Sequence, residues 1–433
     1  MALEKIAVVG LGYVGIPLCA VLADKGHDVV GIDVDGEKVR KVRSGLLPLK
    51  GDEPGLGKLL KKVVGKGKLR ATGSFDACSD RSAIFVCVDT PLDSERRPDN
   101  SRLEKALRKI GKNLGRGAMV VVESTVAPGT MQGLVTQTLE RESGLKAGKD
   151  FKLAHCPERV MPGRLLYNLS HYDRVLGTSD KRTAERAARI YSKLTKGKVH
   201  ATDLTTAEIV KTAENAYRDV QIAFANEVAL ISEKLGADAF EVRRLVNTCP
   251  FRDMHLPGAG VGGHCLPKDP WLLVFGGREA GPKLIPAARA VNDSMPFHVL
   301  DLASGALGSA GKRLEDAAVA VMGASFLQDS GDARNSPTVP VVESLKSSKS
   351  LRIHDPHLEE IAGLKTTSNI REALEGADLA VFMVSHKEYA RITPALLKRL
   401  MRTPVVVDGR NIFSAEKMSK AGIVYRGVGK KVT

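Results

Sequence analysis

A glycine-rich turn near the N-terminus constrains the fold of this chain more than any other feature. Residues 10–15 read GLGYVG; they follow the apolar run 6–9 and precede a segment with helical character. Glycines at this spacing permit a tight strand-to-helix turn and let the backbone approach a pyrophosphate closely. Asp33 ends the next apolar run, 23 positions after Gly10, near the roughly 20 expected of a carboxylate that binds ribose hydroxyls. Because that carboxylate would repel a 2′-phosphate, the pattern predicts binding of NAD rather than NADP.

The arrangement of apolar segments predicts two α/β regions separated by a helical one. Apolar β-type runs alternate with helical segments over the first 180 or so residues, which is typical of a parallel sheet covered by helices on both faces. A second alternating region closes the chain. The clearest runs lie at residues 6–9, 29–32, 83–88, 119–122 and 174–176, and then at 317–322, 351–354, 379–384 and 405–407.

The region between them predicts one long helix. Residues 205–235 contain neither proline nor glycine, and their apolar side chains recur near the helical period, which predicts a largely buried helix. These side chains are Ile209, Ala213, Ala216, Val220, Phe224, Val228 and Ile231.

Composition narrows the class of protein. The net charge of +15 would suit any anionic ligand, but the basic residues are dispersed and aromatic residues make up only 4%, which disfavours nucleic acid. We expect no signal peptide and no membrane span, and hence a cytoplasmic protein. The six cysteines include no Cys-x-x-Cys pair, so we expect neither a metal site nor a disulfide framework, and most of them to be core residues.

Polar residues close two of the predicted strands. Residues 87–91 read CVDTP and residues 123–126 read ESTV. Ligands of open α/β sheets bind beyond the carboxyl ends of the strands, so Thr90 and Thr125 are candidates for lining the cofactor cleft. The alternative is ordinary strand-ending turns without a ligand.

Three polar residues form a stripe along the predicted long helix. Lys211, Asn215 and Arg218 fall at i, i+4 and i+7. The stripe either faces solvent or faces a site. In a site, a lysine would hold a substrate hydroxyl or a developing oxyanion, and an amide would fix its orientation.

The segment 258–271, which reads GAGVGGHCLPKDPW, is the most informative for chemistry. Its four glycines in six residues let the backbone approach a ligand, and Pro267 before an apolar run predicts a helix that begins at or just after Cys265. A cysteine at a helix N-terminus has a lowered pKa and becomes a nucleophile. Cys265 is therefore the one cysteine that we expect to be reactive.

Six stretches, taken in order, resemble the UDP-glucose/UDP-N-acetylmannosamine 6-dehydrogenase family over essentially the whole chain. They are VVGLGYVG, ESTVAPGT, CPERVMPG, AEIVKTAENAYRD, GVGGHCLPKDPW and ARNSP. The resemblance implies two Rossmann-like doubly wound α/β domains, at 1–200 and 301–433, joined by a central helical domain at 201–300 that forms a homodimer interface. It also implies an enzyme that uses two NAD and one water to oxidise the C6 alcohol of a UDP-sugar to a carboxylate, for surface polysaccharide or glycan precursors.

The resemblance also implies roles for individual residues. Cys265 would be the covalent nucleophile, Lys211 and Asn215 would lie near the C6 oxygen, Asp269 would support them, and Thr125 and Glu158 would place and activate the hydrolytic water. The cofactor residues would be Gly10, Gly12, Tyr13, Val14, Gly15, Asp33, Thr90, Thr125 and Arg334. The substrate residues would be Arg159, Val160, Lys211, Asn215, Arg218, Arg252, Gly262 and Arg410.

Two positions depart from the family pattern. The family has an aromatic residue followed by lysine before the arginine that corresponds to Arg334, but here these positions are Phe326 and Leu327. The segment 249–252, which reads CPFR, does not match the family's His-x-Arg pattern, which bears on the assignment of Arg252.

The sugar and two rival functions stay open at this level. CPERVMPG and AENAYRD resemble the N-acetylmannosamine branch, with UDP-N-acetylglucosamine and UDP-glucose as alternatives. A β-hydroxyacid or hydroxyacyl-CoA dehydrogenase would yield one NADH and would need neither Cys265 nor the second α/β domain. An NAD-binding regulator that binds nucleic acid would show no turnover and a steep loss of affinity with salt.

Overall fold

The computed structural model describes residues 3–49, 51 and 53–431. The chain forms two compact units, Met1–Glu214 with Trp271–Gly281, and Asn215–Pro270 with Pro282–Thr433. The three-part division at residues 200 and 300 stays a prediction. None of the helices formed by the described residues has the length and apolar character needed to cross a membrane.

The first unit is built around one sheet whose strands follow the order β3-β2-β1-β4-β5-β6-β7-β8 among the described residues. These strands are β1 Lys5–Val9, β2 Asp28–Ile32, β3 Leu69–Thr72, β4 Ala83–Val86, β5 Met119–Val122, β6 Lys152–His155, β7 Arg174–Thr178 and β8 Val199–Thr202. Its helices are α1 Gly15–Asp24, α2 Gly36–Arg43, α3 Leu56–Gly65, α4 Ser101–Lys112, α5 Thr136–Ser143, α6 Leu165–His171 and α7 Lys181–Leu194. This doubly wound arrangement confirms the predicted α/β class.

One strand pair departs from the expected parallel sheet. Strand β7 runs antiparallel to β6, with Ala154 opposite Thr178, whereas the other neighbouring strands are parallel. The chain leaves β6 at the carboxyl edge and enters β7 from that same edge, after only the short helix α6. Apolar periodicity carries no information about strand direction, so the sequence did not predict this reversal.

Apolar cores cover both faces of the first sheet. Ile6 and Val8 belong to one buried cluster, and Ala7 and Val9 belong to the other. Successive side chains of a strand point to opposite faces, so a strand covered on both sides reads as a continuous apolar run.

The region after the first sheet contains α8 Leu204–Leu235, α9 Ala239–Val246, α10 Asp269–Gly276 and α11 Leu284–Ser309. Helix α8 confirms the long helix predicted for 205–235. The expectation that its large apolar residues would be buried is wrong for Ile209, Phe224 and Ile231, which are exposed. Ala225 and Ala229, which lie one turn apart on the same face of the helix, are buried instead.

The second unit contains another parallel sheet, with the order β10-β9-β13-β14-β15, and a small antiparallel ribbon of β11 and β12. Its strands are β9 Ala318–Met322, β10 Ser350–His354, β11 Glu360–Ile361, β12 Leu364–Lys365, β13 Leu379–Phe382, β14 Val405–Asp408 and β15 Val424–Gly427. The accompanying helices are α12 Thr338–Leu345, α13 Ile370–Leu374, α14 Pro394–Leu400 and α15 Ala415–Lys420. Helix α11 packs on this sheet through Met295 and Val299.

Several helices begin where side chains satisfy their first backbone N–H groups. The Asp35 carboxylate accepts from two N–H groups of α2, and Asp180 and Asp238 cap α7 and α9 in the same way. Thr393 caps α14, where Pro394 occupies the first turn. Such caps supply partners for first-turn N–H groups that have none within the helix.

Candidate active site

The turn after β1 has the geometry that a dinucleotide site requires. Gly10 has a φ of +99°, and a Cβ at this position would lie 2.4 Å from the carbonyl oxygen of Cys87. A Cβ on Gly15 would lie 1.8 Å from the carbonyl oxygen of Gly10. Apart from the two chain neighbours, no atom of the described residues lies within 4 Å of a Cβ built on Gly12. The fold therefore requires the outer two glycines, while the middle one leaves the backbone accessible to a ligand.

Asp33 lies directly after β2 and holds this turn from the side. Its Oδ2 accepts the N–H of Leu11 at 2.7 Å, and its Oδ1 accepts the N–H of Asp35 at 2.9 Å. A carboxylate has about four acceptor positions, so two contacts leave capacity for ribose hydroxyls. The sequence predicted the ribose contact but not this support of the glycine turn.

The ends of β4 and β5 are joined by hydroxyl groups. Thr90 Oγ1 donates to the carbonyl of Thr125 at 2.6 Å, and Ser124 Oγ donates to the carbonyl of Val88 at 2.6 Å. The structure thus brings Thr90 and Thr125 together at the carboxyl edge of the sheet, and their contact with the cofactor stays a prediction.

Glu208 on α8 is a supporting residue that the sequence analysis missed. Its carboxylate accepts the N–H of Gly129 at 2.8 Å and that of Met131 at 2.7 Å, which holds the loop after Thr125. Burial raises the pKa of Glu208 to about 7, although the two backbone N–H groups oppose the shift. Its place in the stretch AEIVKTAENAYRD was the available signal.

A second buried acid, Glu123, lies at the end of β5. The Tyr191 hydroxyl donates to its carboxylate, and the charge of the fully buried Arg174 acts on it. Burial raises the pKa of Glu123 to about 7 against the opposing effects of Arg174 and Tyr191. The sequence signal was a carboxylate that ends an otherwise apolar strand.

The link after β6 carries three predicted site residues. The Glu158 carboxylate accepts the N–H of Val160. The Arg159 guanidinium forms a two-point ion pair with Glu214, and its Nη1 donates to the carbonyl of Asp173 at 2.9 Å. The substrate roles of Arg159 and Val160 stay predictions, and Arg159 joins α8 to this link.

The polar stripe of α8 is only partly solvated. Lys211 is 7% exposed and makes no hydrogen bond or ion pair with any residue in the described parts of the chain. Asn215 is half-buried and Arg218 is exposed. The solvent-facing alternative is therefore wrong for Lys211, whose ammonium group is available to a ligand.

The structure brings Cys265, Asn215 and Asp269 together in the second unit. Asp269 is 1% exposed, and its Oδ2 accepts from Nδ2 of Asn215 at 2.5 Å, while Nζ of Lys268 lies 2.8 Å from its Oδ1. The Cys265 carbonyl accepts the N–H groups of Lys268 and Asp269 at 3.1 and 2.8 Å. The helix predicted to begin at or just after Cys265 is α10, which begins four residues later, at Asp269, because this turn precedes it.

The glycine loop around Cys265 packs against the segment that contains Arg334. Gly263 donates its N–H to the carbonyl of Arg334 at 2.9 Å, and its carbonyl accepts from Nδ2 of Asn335 at 3.0 Å. A Cβ on Gly262 would lie 2.5 Å from Cβ of Phe326. The Arg334 side chain pairs with Asp332, with Nη2 2.6 Å from Oδ2, and its contact with the cofactor stays a prediction.

Arg410 holds the other end of the glycine loop. Its Nη2 donates to the carbonyl of Gly260 at 3.1 Å, and its Nε donates to the carbonyl of Met383 at 2.9 Å. Burial lowers the pKa of Arg410 to about 10, with Asp408 opposing the shift. The Arg252 side chain differs, because within the described parts of the chain it hydrogen-bonds only to the carbonyls of Pro250 and Phe251 in its own exposed turn.

A buried polar network fixes the start of the same loop. The Gly258 N–H donates to Asn226, and Asn226 donates to Asn292, each at 2.9 Å. Asn292 and Arg289 on α11 donate to Asp219 on α8, at 2.8 and 2.6 Å. The sequence analysis missed these residues because they look like ordinary polar positions of two helices.

Burial separates the cysteines. Cys19, Cys78 and Cys156 are buried, and burial raises the pKa of each thiol, as expected for core residues. Cys265 is half-buried. Cys249 is exposed, so the core expectation is wrong for it.

Comparison with known proteins identifies the family. Three sequence models of the UDP-glucose/GDP-mannose dehydrogenase family match this chain: the NAD binding domain at residues 4–195, the central domain at 205–294 and the UDP binding domain at 320–415. The chain belongs to the UDP-glucose/GDP-mannose dehydrogenase family. It is 39% identical to the UDP-N-acetyl-D-mannosamine dehydrogenase of Pyrococcus horikoshii, over 98% of this chain and 99% of that protein.

Solved structures agree in fold. The UDP-D-ManNAc dehydrogenase structure from Pyrococcus horikoshii has a TM-score of 0.92 at 38% identity and covers 99% of this chain and 100% of that one. An NDP-N-acetyl-D-galactosaminuronic acid dehydrogenase from Methanosarcina mazei has a TM-score of 0.90 at 39% identity, covering 99% and 96%.

Family membership makes the chain an NAD-dependent UDP-sugar dehydrogenase, an oxidoreductase. The two rival functions, a hydroxyacid-type dehydrogenase and a nucleic-acid-binding regulator, are therefore wrong. The site fits NAD, because the backbone beside Gly12 is accessible and Asp33 keeps acceptor positions for ribose.

Proposed function

We propose that the enzyme oxidises UDP-N-acetyl-D-mannosamine at C6 to UDP-N-acetyl-D-mannosaminuronate, through a covalent intermediate on Cys265. The observation that carries this proposal is the cluster of Asn215 on α8, Asp269 at the start of α10 and Cys265 directly after the glycine loop. When bound, NAD accepts a hydride in each of two oxidations, and the product supplies a glycan precursor pathway.

Asn215 and Lys211 act on the C6 oxygen. Asp269 accepts hydrogen bonds only, so it holds the amide NH2 of Asn215 toward itself and leaves one N–H for the substrate. The Lys211 ammonium, which has no partner among the described residues, stabilises negative charge on the same oxygen.

Cys265 makes the second oxidation possible. Its thiolate adds to the C6 aldehyde, forming a C–S bond while the carbonyl oxygen takes up a proton. Loss of a hydride from C6 and of the hydroxyl proton from this thiohemiacetal leaves a thioester. Water placed by Thr125 then attacks, Glu158 takes one of its protons while the other passes to solvent, and the C–S bond breaks to release the carboxylate and the thiolate.

The sugar assignment rests on resemblance to the N-acetylmannosamine branch and on the Pyrococcus horikoshii relative. The equally similar Methanosarcina mazei structure, named for an N-acetylgalactosaminuronic acid product, favours a galacto-configured 2-acetamido sugar as the second candidate. UDP-N-acetylglucosamine and UDP-glucose are the remaining candidate substrates.

NADH release tests mechanism and substrate together. We expect two NADH per UDP-N-acetyl-D-mannosamine and a lower kcat/KM for the other UDP-sugars. Cys265→Ser should form no acid, whereas Cys249→Ser, at an exposed cysteine, should keep the full yield. One NADH per sugar, or normal acid formation by Cys265→Ser, would contradict the mechanism; a higher kcat/KM for another sugar would reassign the substrate.

We further propose a cytoplasmic homodimer formed through α8. Tyr217, Phe224 and Ile231 are exposed and recur every seven residues, so they form one apolar stripe along the helix. Burial of such a stripe against a second copy is the expected source of dimer stability.

A further inference from the structure

Four side chains that the proposed chemistry does not use converge at the carboxyl edge of the second sheet. Asp329 lies in the loop after β9, His357 follows β10, and His386 and Glu388 follow β13. One donor atom of each lies within 4.8 Å of the donor atoms of the other three. These residues are far apart in the sequence, so no metal-binding sequence motif predicts the cluster.

The carboxylates of this cluster and the neighbouring Asp355 have no lysine or arginine side chain as a partner among the described residues. No lysine or arginine of the described residues forms a salt bridge with Asp329, Asp355 or Glu388, and the first two pair only with His386. The Oε2 atom of Glu388 is enclosed and accepts no hydrogen bond from any described residue. A buried carboxylate oxygen without a donor is costly, and a cation would supply the missing interaction.

The buried His386 links two of the loops of the cluster through hydrogen bonds. Its Nδ1 accepts the N–H of Asp329 at 3.0 Å, so its proton lies on Nε2, which is 3.3 Å from Oδ2 of Asp355. Asp355 in turn accepts the N–H of His357 at 2.8 Å. Since both nitrogens of His386 are engaged, it positions the loops that carry Asp329 and His357 and is not a ligand itself.

We propose that Asp329, His357 and Glu388 bind one divalent transition-metal cation of the zinc type. One imidazole with two carboxylates suits Zn²⁺, whereas Mg²⁺ and Ca²⁺ prefer ligand sets made only of oxygen. Asp329 and His357 are exposed, so water completes the coordination and the ion exchanges with solvent. The ion joins the loops that follow three parallel strands and stabilises the folded state by mass action.

The test uses the full-length, untagged protein after treatment with a chelator. Titration with Co²⁺ should give one site per chain, with visible d–d bands and no thiolate charge-transfer band. Zn²⁺ should raise the melting temperature, and Mg²⁺ at the same concentration should not. His357→Ala and Glu388→Gln should each weaken Co²⁺ binding by roughly tenfold or more.

Two control variants change exposed residues of the same types elsewhere, His171→Ala and Glu375→Gln, and should bind Co²⁺ as the wild type does. Circular dichroism of each variant establishes that it is folded, and the exposed position of His357 makes His357→Ala the safest variant for the fold. Cys265→Ser should retain the site, because no cysteine belongs to it. The absence of binding, binding unchanged in both ligand variants, or binding lost in Cys265→Ser would overturn the proposal.

Discussion

Two alanine substitutions in the glycine-rich turn separate what the fold needs from what the cofactor needs. Gly10→Ala forces a side chain into a left-handed backbone, with φ at +99°, and against the Cys87 carbonyl at 2.4 Å. Gly12→Ala adds the same methyl group where, apart from the two chain neighbours, no atom of the described residues lies within 4 Å. The chain thus offers a matched pair of variants two residues apart.

The expected magnitudes follow from these contacts. A left-handed conformation costs a non-glycine residue roughly 1–2 kcal/mol, and a forced backbone shift costs about 1–3 kcal/mol more. Gly10→Ala should therefore lower the free energy of unfolding by roughly 2–5 kcal/mol, which is a large part of the ~5–15 kcal/mol of a typical domain. Gly12→Ala should change the free energy of unfolding by less than ~0.5 kcal/mol.

Thermal melting of the apoprotein and calorimetric titration with NAD measure the two effects separately. At about 2–4 °C per kcal/mol, Gly10→Ala should melt roughly 4–20 °C below the wild type. Gly12→Ala should melt normally but bind NAD roughly tenfold more weakly or worse, because its methyl group occupies the path of the pyrophosphate. Wild-type melting of Gly10→Ala would refute the steric argument, and wild-type NAD affinity of Gly12→Ala would refute the placement of the cofactor.

Three further predictions concern pH, a buried ion pair and assembly. Because the pKa of Glu123 is raised from 4.5 to about 7 in the folded state, the native protein holds this proton more tightly, and stability falls as pH rises through that window. Glu123→Gln should remove up to about 1.4 kcal/mol of this loss per pH unit in urea denaturation between pH 5 and pH 8, and an unchanged slope would contradict the assignment. Arg289→Met should lower the free energy of unfolding by about 3–5 kcal/mol, because it leaves the buried Asp219 carboxylate without its cation. The double variant Asp219→Leu/Arg289→Met should recover much of this loss. Equal stability of the single and double variants would exclude this cause. Phe224→Glu should reduce the mass in light scattering from dimer to monomer, whereas Leu46→Glu, at another exposed apolar residue, should not; a dimeric Phe224→Glu would place the interface elsewhere.

Much of the fold could be predicted from local pattern. Most strands of the two sheets and helix α8 appear in the sequence as apolar runs or apolar periodicity, because burial on one or both faces repeats with the geometry of the element. The predicted runs did not include β3, β6, β8 and β15. The direction of β7 could not be predicted, since it depends on the path of the chain between β6 and β7. The exposed Phe224 could not be anticipated either, because the apolar pattern does not say which surface covers it.

The candidate site divides in the same way. Gly10, Asp33 and the loop with Cys265 stand out from the sequence, because the chemistry of tight turns restricts the residues that fit there. The pairing of Arg159 with Glu214, the burial of Lys211 and the shifted start of α10 depend on contacts between distant segments, which no local pattern encodes.

By itself, the sequence determined the class of fold and the glycine turn and predicted Cys265 as the nucleophile, because each depends on neighbouring residues and local backbone geometry. Only the tertiary structure decided which polar groups share one environment. Asp269 on α10 supports Asn215 on α8 because the two helices are in contact there, and Asp329 meets His357 and Glu388 because three strands that are distant in the sequence end at the same edge of a sheet. Electrostatic interactions depend on distance and burial, so their partners exist only once the chain has folded.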